Sequence, residues 1–341
     1  MPPERLIYSY TEKELGEELK TLGMPAYASK QIFSWLYAKR VFDPADFSDI
    51  SKKNRDNLAD RFRFILPSPA RKAADEADGT VKIVLLKEEK AFFEAVIMRS
   101  GEHHTACLST QTGCAMRCSF CATARSRKLV NLSEADMVIQ VLSLFRETGI
   151  MPQNLVFMGM GEPFLNYNAL ERAVEIFVSR NGFAYSQRHI TVSTVGVLEG
   201  IKALTARFPK IGIAVSLNFT GPGRAEYMPS EKSYPVSEVL EFYSRNPGLR
   251  RPTFEYVLIK DLNDKEADAR ALLKILGGLR CKLNVIPYNE NPGLPFNSPD
   301  EETLERFLKI VYKGINAVTV RRSMGKNISG GCGQLSGEMN A

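Results

Sequence analysis

The chain has 341 residues, 44% hydrophobic and 25% charged, and its 45 Lys and Arg against 39 Asp and Glu give a net charge of +6. Such figures belong to a soluble globular protein with room for one large domain and a smaller one, not to a disordered chain, and no apolar run approaches the ~20 residues of a membrane span. The positive surplus permits contact with nucleic acid without requiring it. Six cysteines, three of them close together, do not read as a secreted disulfide framework. The start, Met1-Pro-Pro-Glu-Arg-Leu, lacks a charged-then-apolar leader, so a reducing, cytoplasmic setting is expected. Only His103, His104 and His189 could serve histidine acid–base chemistry, and the adjacent pair is expected in an exposed turn.

Residues 1–73 read as a small helical module. Thr11-Glu-Lys-Glu14 places a hydroxyl three residues before a carboxylate, the capping box that opens a helix. A second helix is expected over 28–39, where Ile32, Phe33, Leu36 and Tyr37 fall at helical spacing around Trp35, and a third over 51–62. The third carries Lys52, Lys53, Arg55 and Arg61. With Lys30, Lys39 and Arg40 they form either a solvated face or a phosphate-contacting one. Leu66-Pro-Ser-Pro-Ala70 breaks the pattern and marks the boundary.

An α/β domain is expected over 74–335. Strands at 81–86, 93–98 and 105–109 come first. Strands at 154–159, 190–194, 211–217, 253–259, 282–287 and 317–321 then alternate with helices at 133–147, 170–179, 236–244, 265–276 and 300–313. Repeated β/α units with β-branched strands imply a parallel sheet, as a barrel or a doubly wound fold, with the functional groups after the strand ends. The Gly- and polar-rich stretch from 323, ending in a tail over 336–341, is expected to be mobile.

Three cysteines, Cys114, Cys118 and Cys121, form a C-x3-C-x2-C run inside Thr112-Gly-Cys-Ala-Met-Arg-Cys-Ser-Phe-Cys-Ala-Thr123. Thiolates suit Fe–S clusters, zinc or Cu(I). A closed zinc site needs four ligands, usually as two pairs, and no second pair follows, although Cys107 stands as a fourth ligand on that alternative. A cubane cluster held by three cysteines keeps one iron open to a substrate. Gly159-Met-Gly-Glu-Pro163 follows an apolar strand, where the glycines allow close approach to the backbone and Glu162 can accept from an ammonium group; a plain turn is the other reading. Cys332, in Ser329-Gly-Gly-Cys-Gly-Gln334, reads as a reactive thiol on a flexible loop or an incidental one. Cys107 is either close to the reacting centre or a strand core residue, and Cys281 reads as core.

Taken together, Cys107-Leu-Ser-Thr-Gln-Thr-Gly-Cys114, the cysteine triplet, Gly159-Met-Gly-Glu-Pro163, Cys332-Gly-Gln-Leu335 and Ala28-Ser-Lys-Gln-Ile-Phe-Ser-Trp-Leu-Tyr37 resemble the RlmN/Cfr family of radical S-adenosylmethionine (SAM) RNA methyltransferases. The similarity runs from about residue 11 to 335. It implies a partial (β/α)6 barrel with a helical N-terminal accessory domain that grips RNA. It implies one 4Fe–4S cluster on Cys114, Cys118 and Cys121, and SAM as methyl donor and radical source held by Gly161, Glu162, Ser193, Ser216, Leu217, Asn218 and Asn289. In the implied mechanism Cys332 takes a methyl from one SAM, and a second SAM is cleaved to a 5′-deoxyadenosyl radical. That radical removes hydrogen from the S-methyl group, and the carbon radical adds to adenine C2. Cys107 then closes a disulfide with Cys332 as the C2 proton is lost, with Glu94 as proton carrier. The implied partners are 23S rRNA, tRNA and an electron donor such as flavodoxin or ferredoxin, and no membrane.

The C8-methylating branch uses the same cysteines, and a paralogue acting on another RNA is a further alternative. A radical SAM activase or an Fe–S RNA-binding protein would not need Cys332. Two departures stand out: Arg127-Lys-Leu-Val-Asn-Leu132 replaces a Gly-Phe-x-Arg-Asn-Leu stretch common in the family, and Asn218 replaces a common His. Both bear on the RNA target and neither removes a catalytic thiol.

Overall fold

A computed structural model describes residues 5–88, 91–126, 128–221 and 223–336. A short strand, β1 (Arg5–Leu6), pairs in parallel with β2 (Phe62–Arg63) and ties the two ends of the helical module together. Between them lie α1 (Glu12–Thr21), α2 (Ala28–Phe33) and α3 (Lys52–Arg61). The capping box is made: Glu14 N donates to Thr11 Oγ1 at 3.3 Å and Thr11 N to Glu14 Oε2 at 3.0 Å. After Phe33 the helix widens into a π turn that buries Leu36 and Tyr37. The module docks on the larger domain: Tyr37 stacks on Phe183 at 4.6 Å, and Arg172 donates to Ser9 O at 2.7 Å. Part of its positive charge is spent internally, since Arg61 pairs with Glu18 and Lys39 lies 3.4 Å over the Trp35 ring; Lys52 and Lys53 are exposed.

The larger domain is one ten-stranded sheet whose spatial order follows the sequence. Antiparallel β3 (Arg71–Asp75), β4 (Thr80–Glu88) and β5 (Ala91–Ser100) lead to β6 (His103–Cys107). From β6 onward the neighbours are parallel: β7 (Asn154–Phe157), β8 (Ile190–Thr194), β9 (Gly212–Ser216), β10 (Thr253–Leu258), β11 (Lys282–Pro287) and β12 (Val318–Val320). The helices α4 (Glu134–Thr148), α5 (Tyr167–Val178), α6 (Leu198–Arg207), α7 (Arg224–Tyr227), α8 (Val236–Arg245), α9 (Glu266–Leu276) and α10 (Glu301–Val311) make the crossovers. β12 and β3 are the sheet's edges and do not pair, so the barrel is open. β3 begins at Arg71, so residues 71–73, read from sequence as the end of the helical module, are the start of the sheet; Arg71-Lys-Ala-Ala has no β-branched residue to signal it. His103 and His104 open β6 instead of forming a turn. Among the described residues, no helix is long and apolar enough to cross a membrane.

The stretch expected to be mobile is pinned. Residues 323–336 strap across the open edge: Gly325 N donates to Asp78 Oδ2 at 2.7 Å, Asn327 Nδ2 to Asp75 Oδ1 at 2.9 Å, and Thr123 Oγ1 to Leu335 O at 2.6 Å. A covered segment must find partners for its backbone, and the β3–β4 hairpin supplies them. Residues 337–341 of the expected tail lie outside the described residues.

Candidate active site

β6 ends at Cys107, and the chain runs directly into the cysteine loop. The base of that loop is zipped: Thr112 N donates to Val130 O at 3.0 Å, Leu132 N to Thr110 O at 3.0 Å, and Gln111 Nε2 to Asn131 Oδ1 at 2.8 Å. Thus Val130, Asn131 and Leu132 of the departing segment close the loop, while Arg127 lies outside the described residues. Arg117 takes a left-handed φ of 52°, turning the chain between Cys114 and Cys118. Cys114, Cys118 and Cys121 line one cavity together with Glu162. Among the described residues no three His, Cys, Asp or Glu side chains are gathered closely enough to hold a metal ion as they stand. Burial, with the neighbouring Cys121 and Glu162, pushes the Cys114 thiol up to about 12. Three soft donors lining one cavity are a donor set that a 4Fe–4S cluster fits, because coordination converts such thiols to thiolates.

The turn after β7 is built against the start of that loop. Met160 O accepts from Thr110 N at 2.8 Å and Gln111 N at 3.1 Å. A Cβ on Gly159 would meet Leu108 O at 2.8 Å, and Gly161 has φ +102° with Gln111 Cβ at 2.7 Å from its missing methyl position. The glycines are therefore required by the packing as well as by any ligand. Glu162 is buried, and its carboxylate accepts from Phe164 N at 3.2 Å and Val195 N at 2.9 Å; burial outweighs these bonds and raises its pKa to about 7.

Gly161, Ser193, Ser216 and Asn218 line the same cavity. Leu217 is fully buried behind it, with its carbonyl accepting from Arg224 Nε at 3.0 Å. Asn218 sits at φ 53°, which Asn tolerates, and its Oδ1 accepts from Val257 N at 3.0 Å, so the residue found where His is common braces β10. Arg224, which the sequence reading passed over, is buried and also donates to Val195 O at 3.2 Å and Ser216 O at 2.9 Å, bracing the cavity floor.

Cys332 lines this cavity and also a second one that reaches Cys107. Burial and the nearby Cys332 push the Cys107 thiol up to about 12, against the pull of Arg321. Arg321 and Glu255, neither of them marked by any motif, line both cavities. The Cys332 loop is held in place: Asn289 Nδ2 donates to Cys332 O at 3.0 Å and to Ser323 Oγ at 2.7 Å, and Ala122 N donates to Gly333 O at 2.8 Å. Asn289 thus fastens the thiol loop and is not on the lining of the cluster cavity.

Glu94 is fully buried behind the same loop. Its Oε1 accepts from Ser336 N at 3.0 Å, its Oε2 lies 3.1 Å from Lys82 Nζ, and Lys82 donates to Ser329 O at 3.3 Å. The pair grips the chain on both sides of Cys332. Lys82→Met would remove the buried cation that faces the Glu94 carboxylate, and the expected loss of stability is about 3–5 kcal/mol. Urea unfolding at pH 7 measures it; a loss under about 1 kcal/mol would contradict the pairing.

An open β/α barrel with a C-x3-C-x2-C loop facing Gly-Met-Gly-Glu across one cavity defines a radical SAM enzyme. The Radical SAM superfamily profile matches residues 108–273, and that of the ribosomal RNA large subunit methyltransferase N-terminal domain matches residues 7–63. The chain belongs to the RlmN family of radical SAM RNA methyltransferases. It is 38% identical to the probable dual-specificity RNA methyltransferase RlmN of Petrotoga mobilis, over 93% of this chain and 92% of that protein. The dual-specificity RNA methyltransferase RlmN of Syntrophus aciditrophicus is also 38% identical, over 96% and 94%. A crystal structure of a radical SAM methyltransferase from Sphaerobacter thermophilus superposes with a TM-score of 0.91 at 39% identity, covering 98% of this chain and 100% of that one. Membership of the superfamily implies SAM and a 4Fe–4S cluster.

Proposed function

We propose that the protein methylates C2 of an adenosine in 23S rRNA and in tRNA, carrying the carbon on Cys332. The observation that supports this is that Cys332 lines the cysteine-triplet cavity and, on its other side, the cavity that reaches Cys107. The relatives named as dual-specificity RNA methyltransferases support two RNA substrates. The cluster, when bound to Cys114, Cys118 and Cys121, supplies the electron that makes SAM a source of hydrogen-abstracting radical, which adenine C2 requires because it is not a nucleophile. The chain's own residues do the rest. Glu162 takes the methionine ammonium, and Ser193, Ser216 and Asn218 face the remainder of SAM. Cys332 as thiolate accepts the methyl as the sulfonium C–S bond breaks. Once the base adduct has lost one electron and its C2 proton, Cys107 bonds to the Cys332 sulfur as the S–CH2 bond breaks. The electron pair of that bond and the Cys107 proton turn the methylene into the methyl group, and the two thiols are left as a disulfide. Glu94, one hydrogen bond from Ser336 of the same loop, carries the C2 proton. Lys52 and Lys53 meet RNA phosphates, and a flavodoxin or ferredoxin delivers the electron.

Nucleoside mass spectrometry of RNA treated with reconstituted enzyme, SAM and reductant tests the reading. We expect 2-methyladenosine from both RNAs. An 8-methyladenosine signal would move the protein to the other branch, and SAM cleavage without either would assign it another RNA.

The raised pKa of Glu162 sets a pH dependence. Below about 7 the carboxyl is protonated and must lose its proton to receive an ammonium, so SAM affinity is expected to fall with acidity by up to about tenfold per pH unit and to level off above 7. The free protein responds the other way: between the unfolded and folded pKa values the native state holds the extra proton, so this group's contribution to stability declines as pH rises. Calorimetric SAM titrations from pH 5.5 to 8 check the first statement, and a flat affinity would contradict it.

A further inference from the structure

The cavity that reaches Cys107 is more than a niche beside the thiols. It encloses about 450 Å³, within the ~300–1,000 Å³ of small-ligand sites. Its walls include the inward-facing polar side chains of Thr105, Asn154, Thr191, Thr253 and Asn284, all half-buried, beside the apolar Met98, Val156 and Met158. On β7 and β8 these alternate with fully buried Leu155, Phe157, Ile190 and Val192, which pack outward. A closed β/α barrel fills this space with branched apolar residues. Here it is a lumen of mixed polar and apolar lining, running from the N-terminal ends of the strands up to Cys107 and Cys332.

The mouth of the lumen is cationic. Arg188 lines it and is exposed, and Arg250 donates to Arg188 O at 3.4 Å. Neither guanidinium is paired with a carboxylate among the described residues, and the two repel each other. Arg321 stands further in, faced by Glu255, while Arg322 is exposed and pairs with Glu301.

The methylation proposed above leaves Cys107 and Cys332 as a disulfide after each turnover, while the residues read as holding SAM lie at the opposite, C-terminal ends of the strands. We propose that this lumen admits a small anionic monothiol, which reduces the Cys107–Cys332 disulfide from the N-terminal mouth of the barrel. One thiolate attacks a disulfide sulfur, forming a mixed disulfide and releasing the other cysteine as thiolate. A second thiol displaces the first, so two thiols are oxidised to one disulfide and both cysteines return to the reduced state. The inference rests on the two-thiol methylation reading, and the cationic mouth is what selects the sign of the thiol.

The test needs no RNA. Cluster-loaded protein is oxidised anaerobically with oxidised glutathione, and the Cys107–Cys332 disulfide is quantified by peptide mass mapping. Its reduction is then timed with reduced glutathione, which is anionic, and with cysteamine, which is cationic. Each rate is divided by that thiol's rate on a small uncharged disulfide. At low salt the glutathione value is expected to exceed the cysteamine value by about tenfold, and Arg188→Glu to erase most of that preference while single-turnover RNA methylation stays unchanged. A normalised ratio near one, or a ratio that Arg188→Glu and Arg188→Gln both leave intact, would overturn the route while leaving the methylation reading in place. Failure to form the disulfide at all would overturn the two-thiol reading and the route with it.

Discussion

Cys332→Ala is expected to abolish RNA methylation, by at least about 10⁴-fold, the scale on which covalent catalysis collapses when its nucleophile is removed. The effect is large because no other group at the site can replace the thiol. Cys107 is buried and held protonated by its surroundings, and the three remaining thiols of the site belong to the cluster loop. SAM cleavage is expected to persist, since Cys114, Cys118, Cys121 and Glu162 are untouched. Comparing 5′-deoxyadenosine with methylated adenosine in one reaction separates the two steps. Retained methylation in Cys332→Ala would remove the protein from the methyl-cysteine mechanism altogether.

Cys107→Ala is expected to trap the enzyme on its substrate. The carbon would reach the base through Cys332, but the thiol that closes on the Cys332 sulfur would be missing, so a covalent protein–RNA adduct should accumulate to near one per enzyme. A denaturing gel shows it as a shifted band that ribonuclease removes. The substitution changes a small buried side chain by one atom, and its cost to stability is about 1 kcal/mol, too little to confuse the reading. Free, fully methylated RNA from this variant would contradict the resolving role of Cys107.

Local features of the sequence carried over well into the structure. The Thr11–Glu14 box caps its helix, β8 and β11 span the residues their apolar pattern marked, and the β/α alternation produced the parallel run from β6 to β12. The cysteine triplet and Gly159–Pro163 meet across one cavity, as two motifs after neighbouring strands should.

What was misread depended on partners far away in the chain. The glycines around Cys332 signal a free loop, yet Asn289 fastens it from some forty residues away and Asp75, Asp78, Lys82 and Glu94 hold it through bonds spanning more than two hundred residues, which no local pattern announces. Glu94 was singled out by the family resemblance, but its ion pair was not, because the pairing with Lys82 exists only once β4 and β5 are in antiparallel register. Arg224, Glu255 and Arg321 were silent for the same reason: a single charged residue in a sequence carries no mark of burial. The inner face of the barrel was written in plain alternation, Asn154-Leu-Val-Phe157 and Ile190-Thr-Val-Ser-Thr194, but only the folded sheet, open at its edges, turns that alternation into the wall of a lumen.

Peptide mass mapping of the reconstituted enzyme after incubation with methyl-labelled SAM, in the absence of RNA, asks whether Cys332 carries the carbon. The account predicts one labelled methyl group on the Cys332 peptide, none on the peptides of Cys107, Cys114, Cys118 or Cys121, and transfer of the label to adenosine when RNA and reductant are added. A Cys332 that stays unmethylated while RNA acquires the label would contradict it.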